Sequence, residues 1–534
     1  MVWTDTELPD DPLALPQLLV RQQEQLEALS RQLHAQEHSI VRKDARIVAL
    51  EHKLEALKLR HFGKSSEKNP DQYEFFNEAE LVAQSDPDEE SEDFITVPAH
   101  RRQARKSRQL PPDLPRVEVI HDLAEADKQC SCGQRLRHIG EDTLEQLCVI
   151  PQQFFVIEHK RLKYACQCKA CICTASMPAQ PLPGSQASPQ LLAQVMVAKY
   201  HDGLPLYRQE KIARRERLQL PRAKLARWLI GCAELFQPVF NLLQDTFFSY
   251  DIALTDETGI QVLKEHGRAP QTKSYLWIRR GGPPDKPVVL VDYENSASGQ
   301  AAQSLLSEFH GYLVCDGAPI YNQPVKANGL TAVYCNDHAR RRFREALVSL
   351  GKSAAAKQSI AAQGIKRYRT LYRLEKNLKH LSVEGRYLER QRVAVPLWDA
   401  FIDWAKEKHG QGVAHEPTRE ALAYLLNHAQ GLRRYCEDAR LPISNIQSEH
   451  VAKTIALARK NFLFADTEAG AASSAMLYSI LESAQANHHH TQRYLSVVLT
   501  ELPNARDLAD IEALLPWNLT PDEVARRFAT YPTL

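Results

Sequence analysis

The sequence has no apolar run long enough to cross a lipid bilayer, which argues against an integral membrane protein. Its amino terminus is acidic and lacks the basic and apolar pattern of a secretion signal. The net charge is only +1, so the chain as a whole is not an obvious binder of polyanions. A length of 534 residues exceeds what one hydrophobic core supports. We therefore expect a cytoplasmic protein of about three or four domains with no membrane partner.

The cysteines are concentrated in one stretch, since seven of the 11 lie between Cys130 and Cys173. In a reducing compartment such clustering favours a metal site over disulfides. The cysteines flank predicted strands at 154–157 and 161–165, a layout typical of zinc ribbons with four thiolate ligands. We predict a ribbon-like domain over 116–180 with structural Zn²⁺; the alternative is a set of reduced cysteines without a ligand. Which four bind is left open among Cys130, Cys132, Cys166, Cys168 and Cys171.

A strict seven-residue repeat occupies the amino-terminal region, with apolar residues at Leu19, Leu26, Leu33, Ile40, Ile47 and Leu54. The positions three residues further on are half polar. This repeat predicts a leucine-zipper coiled coil over 15–62, and hence a homodimer or a higher oligomer. The alternative is a single amphipathic helix that lies on its own domain. A polar stretch over 63–115, acidic and then basic, predicts a flexible charged linker.

Two short helices are predicted between residues 203 and 231, and a turn at 218–221 separates them. Basic residues are dense along both helices. A further amphipathic helix is predicted over 233–247. The pattern resembles a helix-turn-helix, so we predict a helical DNA-binding region over 188–245. The alternative is a solvated helix face without a ligand. The candidate phosphate contacts are Arg208, Lys211, Arg214, Arg215, Arg222, Lys224 and Arg227.

Three acidic residues follow patterns that suit a metal-dependent site. The apolar run 252–254 leads to Asp256 and the run 313–315 leads to Asp316, so both are predicted to lie at exposed strand ends. Glu449 lies near the start of a predicted helix. Together these carboxylates suit Mg²⁺ or Mn²⁺ and a two-metal phosphoryl transfer on DNA. Each of them is also open to a simpler interpretation as a turn or surface residue.

The segment around these acids has the element order of an RNase H-like core. Strands are predicted at 274–280, 287–293 and 331–335, and a helix at 301–309. The predicted fold class is therefore multidomain α+β with an RNase H-like α/β catalytic core. The predicted boundaries are 248–350 for the first part of the core, 351–440 for a helical insertion, 441–490 for the last part with the Glu449 helix, and 491–534 for a C-terminal tail.

Several motifs, each weak alone, are together specific. They are FGKSSEK at 62–68, KYHDGLPLYRQE at 199–210, DETG at 256–259, CDGAPIYN at 315–322, DHARRRF at 337–343, SEHVAK at 448–453, ARKNFLF at 458–464 and LLPWN at 514–518. With these motifs the chain resembles the insertion-sequence transposases of the IS-sixty-six type over nearly its full length.

The resemblance implies a DDE transposase that binds the terminal inverted repeats of an insertion sequence, frees a 3′-OH and joins it to target DNA. It implies Asp256, Asp316 and Glu449 as the catalytic triad and Mg²⁺ ligands, ahead of the neighbouring acids Glu257, Asp292 and Asp337. It also implies a bacterial, nucleoid-associated protein, with small accessory proteins of the same element as further partners. Contacts near the scissile phosphate are implied for His338, Arg340, Arg341, Arg342, Arg459 and Lys460.

Two other functions are compatible with the same motifs. One is a catalytically inactive DNA-binding dimer that acts as a repressor, and the other is an RNase H-like nuclease without strand transfer. The intact acid triad argues against the first, and the predicted zipper and helix-turn-helix argue against the second. Departures from the family pattern, Ser444 in place of Asp among them, remove no proposed metal ligand. The histidines at 488–490 are interpreted as an exposed turn.

Overall fold

The computed structural model describes residues 116–120, 134, 146–147, 153–165, 172–351 and 353–532, which fall into two compact units. One unit takes the described residues up to 160 together with Pro532, and these have no regular secondary structure. The other unit takes residues 161–531, and all strands and helices given below belong to it. The predicted coiled coil, the predicted linker and the five candidate zinc ligands lie outside the described residues.

A small hairpin forms at the described end of the cysteine segment. Strand β1 (Lys163–Ala165) pairs antiparallel with β2 (Ile172–Thr174), and Arg161 Nε donates a hydrogen bond to the Ala175 carbonyl at 2.7 Å. The predicted strand at 154–157 is wrong, because this run is not part of a strand and Val156 is 90% exposed. The hairpin instead pairs the residues that precede and follow cysteines 166–171.

Three helices precede the main sheet: α1 (Pro189–Tyr200), α2 (Leu206–Arg215) and α3 (Arg222–Phe248). The start of α1 is capped by Ser188 Oγ, which accepts a hydrogen bond from Leu191 N at 3.2 Å. Helix α3 is continuous over 27 residues, so the predicted break between a short helix and the helix at 233–247 is wrong. Gly231 instead permits close packing, because an added Cβ would lie 2.8 Å from Leu182 Cδ2.

The main sheet has six strands in the order β5-β4-β3-β6-β7, with β8 beside β3. Strands β3 to β5 pair antiparallel, whereas β6 and β8 are parallel to β3 and β7 is parallel to β6. The strands predicted at 274–280, 287–293 and 331–335 are confirmed to within one residue at each end. The bounds are β3 (Ile252–Lys264), β4 (Lys273–Gly281), β5 (Val288–Glu294), β6 (Tyr312–Cys315), β7 (Thr331–Tyr334) and β8 (Ala465–Thr467).

The prediction that the first of these strands ends at Asp256 is wrong. Strand β3 continues to Lys264 because β4 stays paired with it and because Ile260 and Val262 supply alternating buried side chains. The parallel neighbour β6, by contrast, pairs with β3 only as far as Leu254. Asp256 therefore lies inside a strand, just beyond the point where the pairing with β6 stops.

The remaining helices of this unit follow or interrupt the sheet. Their bounds are α4 (Gly299–Leu305), α5 (Asn322–Ala327), α6 (Asn336–Ser349), α7 (Ala354–Lys357), α8 (Ile360–Leu378), α9 (Val383–Glu389), α10 (Val395–Gly410), α11 (Glu416–Arg433), α12 (Ile446–Phe462), α13 (Glu468–Ala486), α14 (Thr491–Glu501), α15 (Leu508–Glu512) and α16 (Pro521–Ala529). None of the described helices is long and apolar enough to cross a membrane.

Both faces of the sheet are buried, each in its own hydrophobic core. Leu254, Val314 and Val333 are cross-strand neighbours and pack with the helices between residues 336 and 436. Their neighbours along the strands, Ala253 and Leu313, pack into the other core, which includes α1, α3, α13 and α14. Since side chains alternate across a strand, the helices between residues 336 and 436 cover one face, while α1, α3, α13 and α14 cover the other.

Arg390 ties the helical segment to the loop that precedes α12. Its guanidinium binds both carboxylate oxygens of Glu375, at 3.0 and 2.7 Å. It also donates to the carbonyls of Tyr435 and Leu441, at 2.6 and 3.0 Å. This buried cluster fixes the path of the chain as it returns towards the sheet.

Helix α13 covers the open edge of β5. Ser479 Oγ accepts a hydrogen bond from Val291 N at 2.7 Å, and Ser483 Oγ accepts one from Val289 N at 3.0 Å. The outer backbone groups of this edge strand are thus bonded to hydroxyl groups of a helix.

The segment predicted as a C-terminal tail is not a tail. It forms α14, α15 and α16, and Leu495 and Val498 on α14 are completely buried because α14 packs against α1. The prediction of an exposed turn at 488–490 holds for two of the three histidines but not for His489. That side chain is buried, with Nε2 at 2.6 Å from the Pro516 carbonyl oxygen.

Candidate active site

Two strands place aspartates at the same end of the sheet. Asp316 directly follows β6, as predicted, and its Oδ1 accepts a hydrogen bond from Ala318 N at 2.8 Å. Tyr424 donates to the Asp316 carbonyl at 2.7 Å, so α11 supports the turn. Gly317 has a φ of +82°, a conformation that favours glycine and lets the chain turn away immediately after Asp316. Asp256 Oδ1 accepts from Glu257 N at 3.0 Å.

Glu449 is brought to these aspartates by the first turn of α12. Asn445, just before the helix, donates from Nδ2 to the Thr255 carbonyl at 2.7 Å. Its backbone N–H donates to Cys335 Sγ at 3.2 Å. Because Thr255 immediately precedes Asp256, the Asn445 amide fixes the start of α12 against the acidic part of β3.

Three side chains surround the Glu449 carboxylate. Cys335 Sγ donates to Oε1 at 3.3 Å, and His338 Nδ1 lies 3.3 Å from the same oxygen. Arg341 Nη2 lies 3.6 Å from Oε2. Glu449 is therefore held between the end of β7 and the first turns of α6.

The electrostatics of Asp256 show how closely the acids lie together. Burial raises the pKa of Asp256 well above its usual range, and the charges of Glu449, Glu257 and Asp316 raise it further. The hydrogen bond from Glu257 N works in the opposite direction. A site of this kind favours a bound cation, since a cation offsets the repulsion among its carboxylates.

The competing acids have structural partners. Asp292 forms a bidentate pair with Arg279, with N–O distances of 2.9 and 3.0 Å. Asp337 is buried and accepts a hydrogen bond from Tyr372 at 2.5 Å. Glu257 accepts from Tyr321 at 2.7 Å, and its pKa is raised mainly by burial. Glu257 is the competitor that lies beside the three acids.

The predicted DNA contacts on α2 and α3 are exposed, with one exception. Lys224 is the half-buried exception, and it donates to Gln186 Oε1 at 3.0 Å. Arg214 is 3.1 Å from Glu210, which is an ordinary surface ion pair. The exposed members are Arg208, Lys211, Arg214, Arg215, Arg222 and Arg227.

The other predicted contacts divide into those at the acids and those elsewhere. Arg341 touches Glu449, and Arg459 Nη1 would lie 3.6 Å from a Cβ added at Gly259, three residues beyond Asp256. Lys460 is exposed at the end of α12. Arg340, in contrast, is only 5% exposed and lies against the Tyr372 ring, so it does not belong to an open surface.

Two side chains at the site were not predicted. Cys335 lies outside the cysteine cluster at 130–173, although it directly follows β7 and precedes His338 by three residues. Asn445 carried no sequence signal, because its partners Thr255 and Cys335 are more than 100 residues away.

The family profile described as "Transposase IS66 family" matches residues 184–473, which is more than half of the chain. The chain belongs to the IS66 transposase family. The resemblance predicted from the motifs is thereby confirmed. Three further profiles match this IS66 chain: "Transposase C of IS166 homeodomain" at 49–119, "zinc-finger binding domain of transposase IS66" at 127–169, and "IS66 C-terminal element" at 479–517. The zinc-finger match supports Zn²⁺ binding by the cysteine segment.

Uncharacterised proteins of Sinorhizobium fredii are similar to this IS66 chain. The protein y4qI is 29% identical, and the match spans 98% of this chain and 100% of y4qI. The protein y4hP is 28% identical over 88% of both chains. These relatives are described as uncharacterised, so the similarity assigns no role to individual residues of this chain.

Proposed function

We propose that this protein is a DDE transposase that binds the terminal inverted repeats of an insertion sequence, cleaves to a 3′-OH and joins it to target DNA. The observation that carries the proposal is the meeting of Asp256, Asp316 and Glu449 at one end of the sheet. Burial and the neighbouring carboxylates raise the pKa of Asp256, as expected where several acids are close enough to share bound cations.

The donor set fits Mg²⁺ or Mn²⁺, because carboxylate oxygens are the ligands these ions prefer. Asp256, Asp316 and Glu449 would hold the ions. When bound, two such ions supply an activated water or hydroxyl and stabilise the leaving oxygen in phosphoryl transfer. The protein's own part is to position the acids through the turn at Gly317 and the Asn445 amide.

The strand arrangement supports an RNase H-like core over 248–350 and 441–490. Three antiparallel strands are followed by two parallel ones, and α12 packs against β3 and β4. The helical insertion over 351–440 then lies between the second aspartate and the glutamate. In this proposal the insertion covers one sheet face and returns the chain to the site.

Basic residues at two places would hold DNA. His338, Arg341, Arg459 and Lys460, on α6 and α12, would contact the backbone near the scissile phosphate. The exposed basic residues of α2 and the start of α3 would contact duplex phosphates further away. Four of the five candidate cysteines would bind structural Zn²⁺, and the amino-terminal repeat would form a homodimer or a higher oligomer. Accessory proteins of the same element are further proposed partners.

Strand transfer tests the proposal. Labelled element-end DNA and supercoiled target would be incubated with the protein and Mg²⁺ or EDTA. We expect joined product only with Mg²⁺, and none from Asp316→Ala. The matched control is Asp403→Asn, an aspartate on α10 whose side chain is 75% exposed.

Each outcome separates the proposal from its alternatives. Cleavage without joining would favour an RNase H-like nuclease. Equal and tight DNA binding by the wild type and Asp316→Ala, with no cleavage by either, would favour an inactive DNA-binding dimer.

A further inference from the structure

Three potential metal ligands of different chemistry meet beside the acid triad. They are the Cys335 thiol at the end of β7, the His338 imidazole in the first turn of α6, and the Glu449 carboxylate in the first turn of α12. One donor atom from each lies within 4.8 Å of the other two. Cys335 Sγ and His338 Nδ1 are each 3.3 Å from Glu449 Oε1.

These separations are close to those of a tetrahedral metal site. With bonds of roughly 2.0–2.3 Å and tetrahedral angles, neighbouring ligand atoms of zinc lie about 3.5 Å apart. Two of the three pairs here are at 3.3 Å. The third pair, Cys335 Sγ and His338 Nδ1, lies within 4.8 Å.

His338 Nδ1 is a second and independent sign of a ligand site. The atom is shielded from solvent and has no hydrogen-bond partner among the described residues. It nevertheless faces a carboxylate oxygen at 3.3 Å. A buried polar nitrogen in this position is normally satisfied by a hydrogen bond, a water or an ion.

The ligand types select the ion. Thiolate, imidazole and carboxylate together suit Zn²⁺, whereas Mg²⁺ prefers oxygen ligands alone. We propose that Cys335, His338 and Glu449 form a binding site for a thiophilic divalent ion such as Zn²⁺, which takes Glu449 away from the catalytic site. The inhibitory part of this proposal rests on the proposed transposase function, while the binding part does not.

The surroundings of Glu449 explain why it cannot bind the thiophilic ion and serve in the acid triad at the same time. Oε2 faces Arg341 Nη2 at 3.6 Å, so Oε1 is the oxygen that both kinds of ion need. Binding the thiophilic ion replaces the Sγ–H···Oε1 hydrogen bond with two bonds to the ion and releases the thiol proton to solvent. A Glu449 carboxylate held by this ion is no longer available to the acid triad, so the proposed site acts as a switch that responds to zinc.

Metal binding is measured without reference to catalysis. The full-length protein, with Zn²⁺ retained only at the amino-terminal cysteines, would be titrated with Co²⁺, which reports thiolate ligation by a charge-transfer band. We expect the wild type to show an additional band that is absent from Cys335→Ser. His338→Asn should bind the Co²⁺ that gives this band at least tenfold more weakly. The difference spectrum cancels any exchange at the amino-terminal cysteines. Cys436→Ser, which removes a buried cysteine of the helical segment, should leave the band in place. The proposal would be overturned if the wild type and Cys335→Ser gave identical spectra while thermal melting showed that both proteins are folded.

Inhibition is measured separately, as the Zn²⁺ concentration that halves strand transfer in excess Mg²⁺. We expect this concentration to rise at least tenfold in Cys335→Ser relative to Cys436→Ser, each compared with its own zinc-free rate. If the Co²⁺ band depends on Cys335 but no strand transfer occurs, the proposed function fails and the site stands. If strand transfer occurs and its zinc sensitivity is the same in both variants, the inhibitory site is wrong.

Discussion

Asp256 on β3 and Asp292 on β5 are aspartates of one sheet, on strands that both pair with β4, yet their surroundings are opposite. Asp292 forms two hydrogen bonds with the buried guanidinium of Arg279, whose side chain is 2% exposed. Burial raises the pKa of Asp256, and the charges of neighbouring carboxylates raise it further. The protein itself neutralises the charge of Asp292, whereas the proposed function assigns an external cation to Asp256. The partner of a buried acid, rather than its burial, therefore distinguishes a structural residue from a candidate catalytic one.

Glu482 on α13 shows a third way of burying an acid. Burial raises its pKa to about 7, and the charge of Arg280 partly offsets this. Its Oε1 lies 3.6 Å from His201 Nε2, and burial lowers the pKa of that histidine. This carboxyl group is kept neutral by a proton over much of the ordinary pH range. A guanidinium and a proton are thus two solutions to the same desolvation problem, and the proposed function adds an external ion as the third.

The largest effect is expected from Asp256→Asn. Strand transfer should fall by at least about 1,000-fold, because an amide does not replace a charged metal ligand. The melting temperature of the metal-free protein should stay equal or rise, since the variant removes repulsion with Glu449. Calorimetry alongside the transfer assay checks both. A variant that unfolds more easily would place Asp256 with Asp292 as a structural residue.

Asp292→Asn, in contrast to Asp256→Asn, should lower the stability of the protein. Removing one partner of a buried pair leaves Arg279 without its counter-charge, which costs about 3 kcal/mol of unfolding free energy. Urea denaturation measures this loss, with Asp403→Asn as the exposed control. Unchanged stability would contradict the assignment of Asp292 as a structural partner.

The pH dependence of stability tests the third solution. The pKa of Glu482 is raised on folding. Its stabilising contribution to the free energy of unfolding is therefore fully present below pH 4.5 and is lost as pH rises through about 7. Between pH 5 and 8 this amounts to about 2 kcal/mol of unfolding free energy. His201, with its lowered pKa, acts in the opposite direction below pH 6.5. Glu482→Gln should flatten the profile above pH 6, and the exposed control Glu512→Gln should not.

The smallest effect is expected from Asn445→Ala. It removes the bond to the Thr255 carbonyl and loosens the position of Glu449, so the single-turnover rate should fall about tenfold. The Mg²⁺ concentration for half-maximal rate should rise with it. Asn504→Ala, a surface amide, is the control. If only stability changes, Asn445 supports the fold and does not position the site.

Local patterns were enough to predict much of the fold. Asp316 after a short apolar run and Glu449 in the first turn of a helix were read from three or four neighbouring residues each. Those features depend on strand alternation and helix starts, which are local in sequence. The same reasoning failed at Asp256, where pairing with β4 extends the strand past an acidic residue. It also failed at Gly231, which does not end a helix but lies within the continuous helix α3, where it packs closely against Leu182.

The contacts that build the site were beyond local reasoning. Cys335 meets Glu449 across 114 residues, and Asn445 meets Thr255 across 190. No periodicity encodes such a pair, because it depends on how the helical segment returns to the sheet. Arg390 and its carbonyl partners determine that return.

The cover that α13 provides for β5 has a consequence during synthesis. Ser479 is 188 residues beyond Val291, its hydrogen-bond partner. Synthesis of these residues takes about 10 to 40 s at roughly 5–20 residues per second. Until then the outer edge of β5 is an open template for strands of other nascent chains. The growing polypeptide is thus most prone to aggregate before α13 leaves the ribosome, and two serine hydroxyls close that edge once it does.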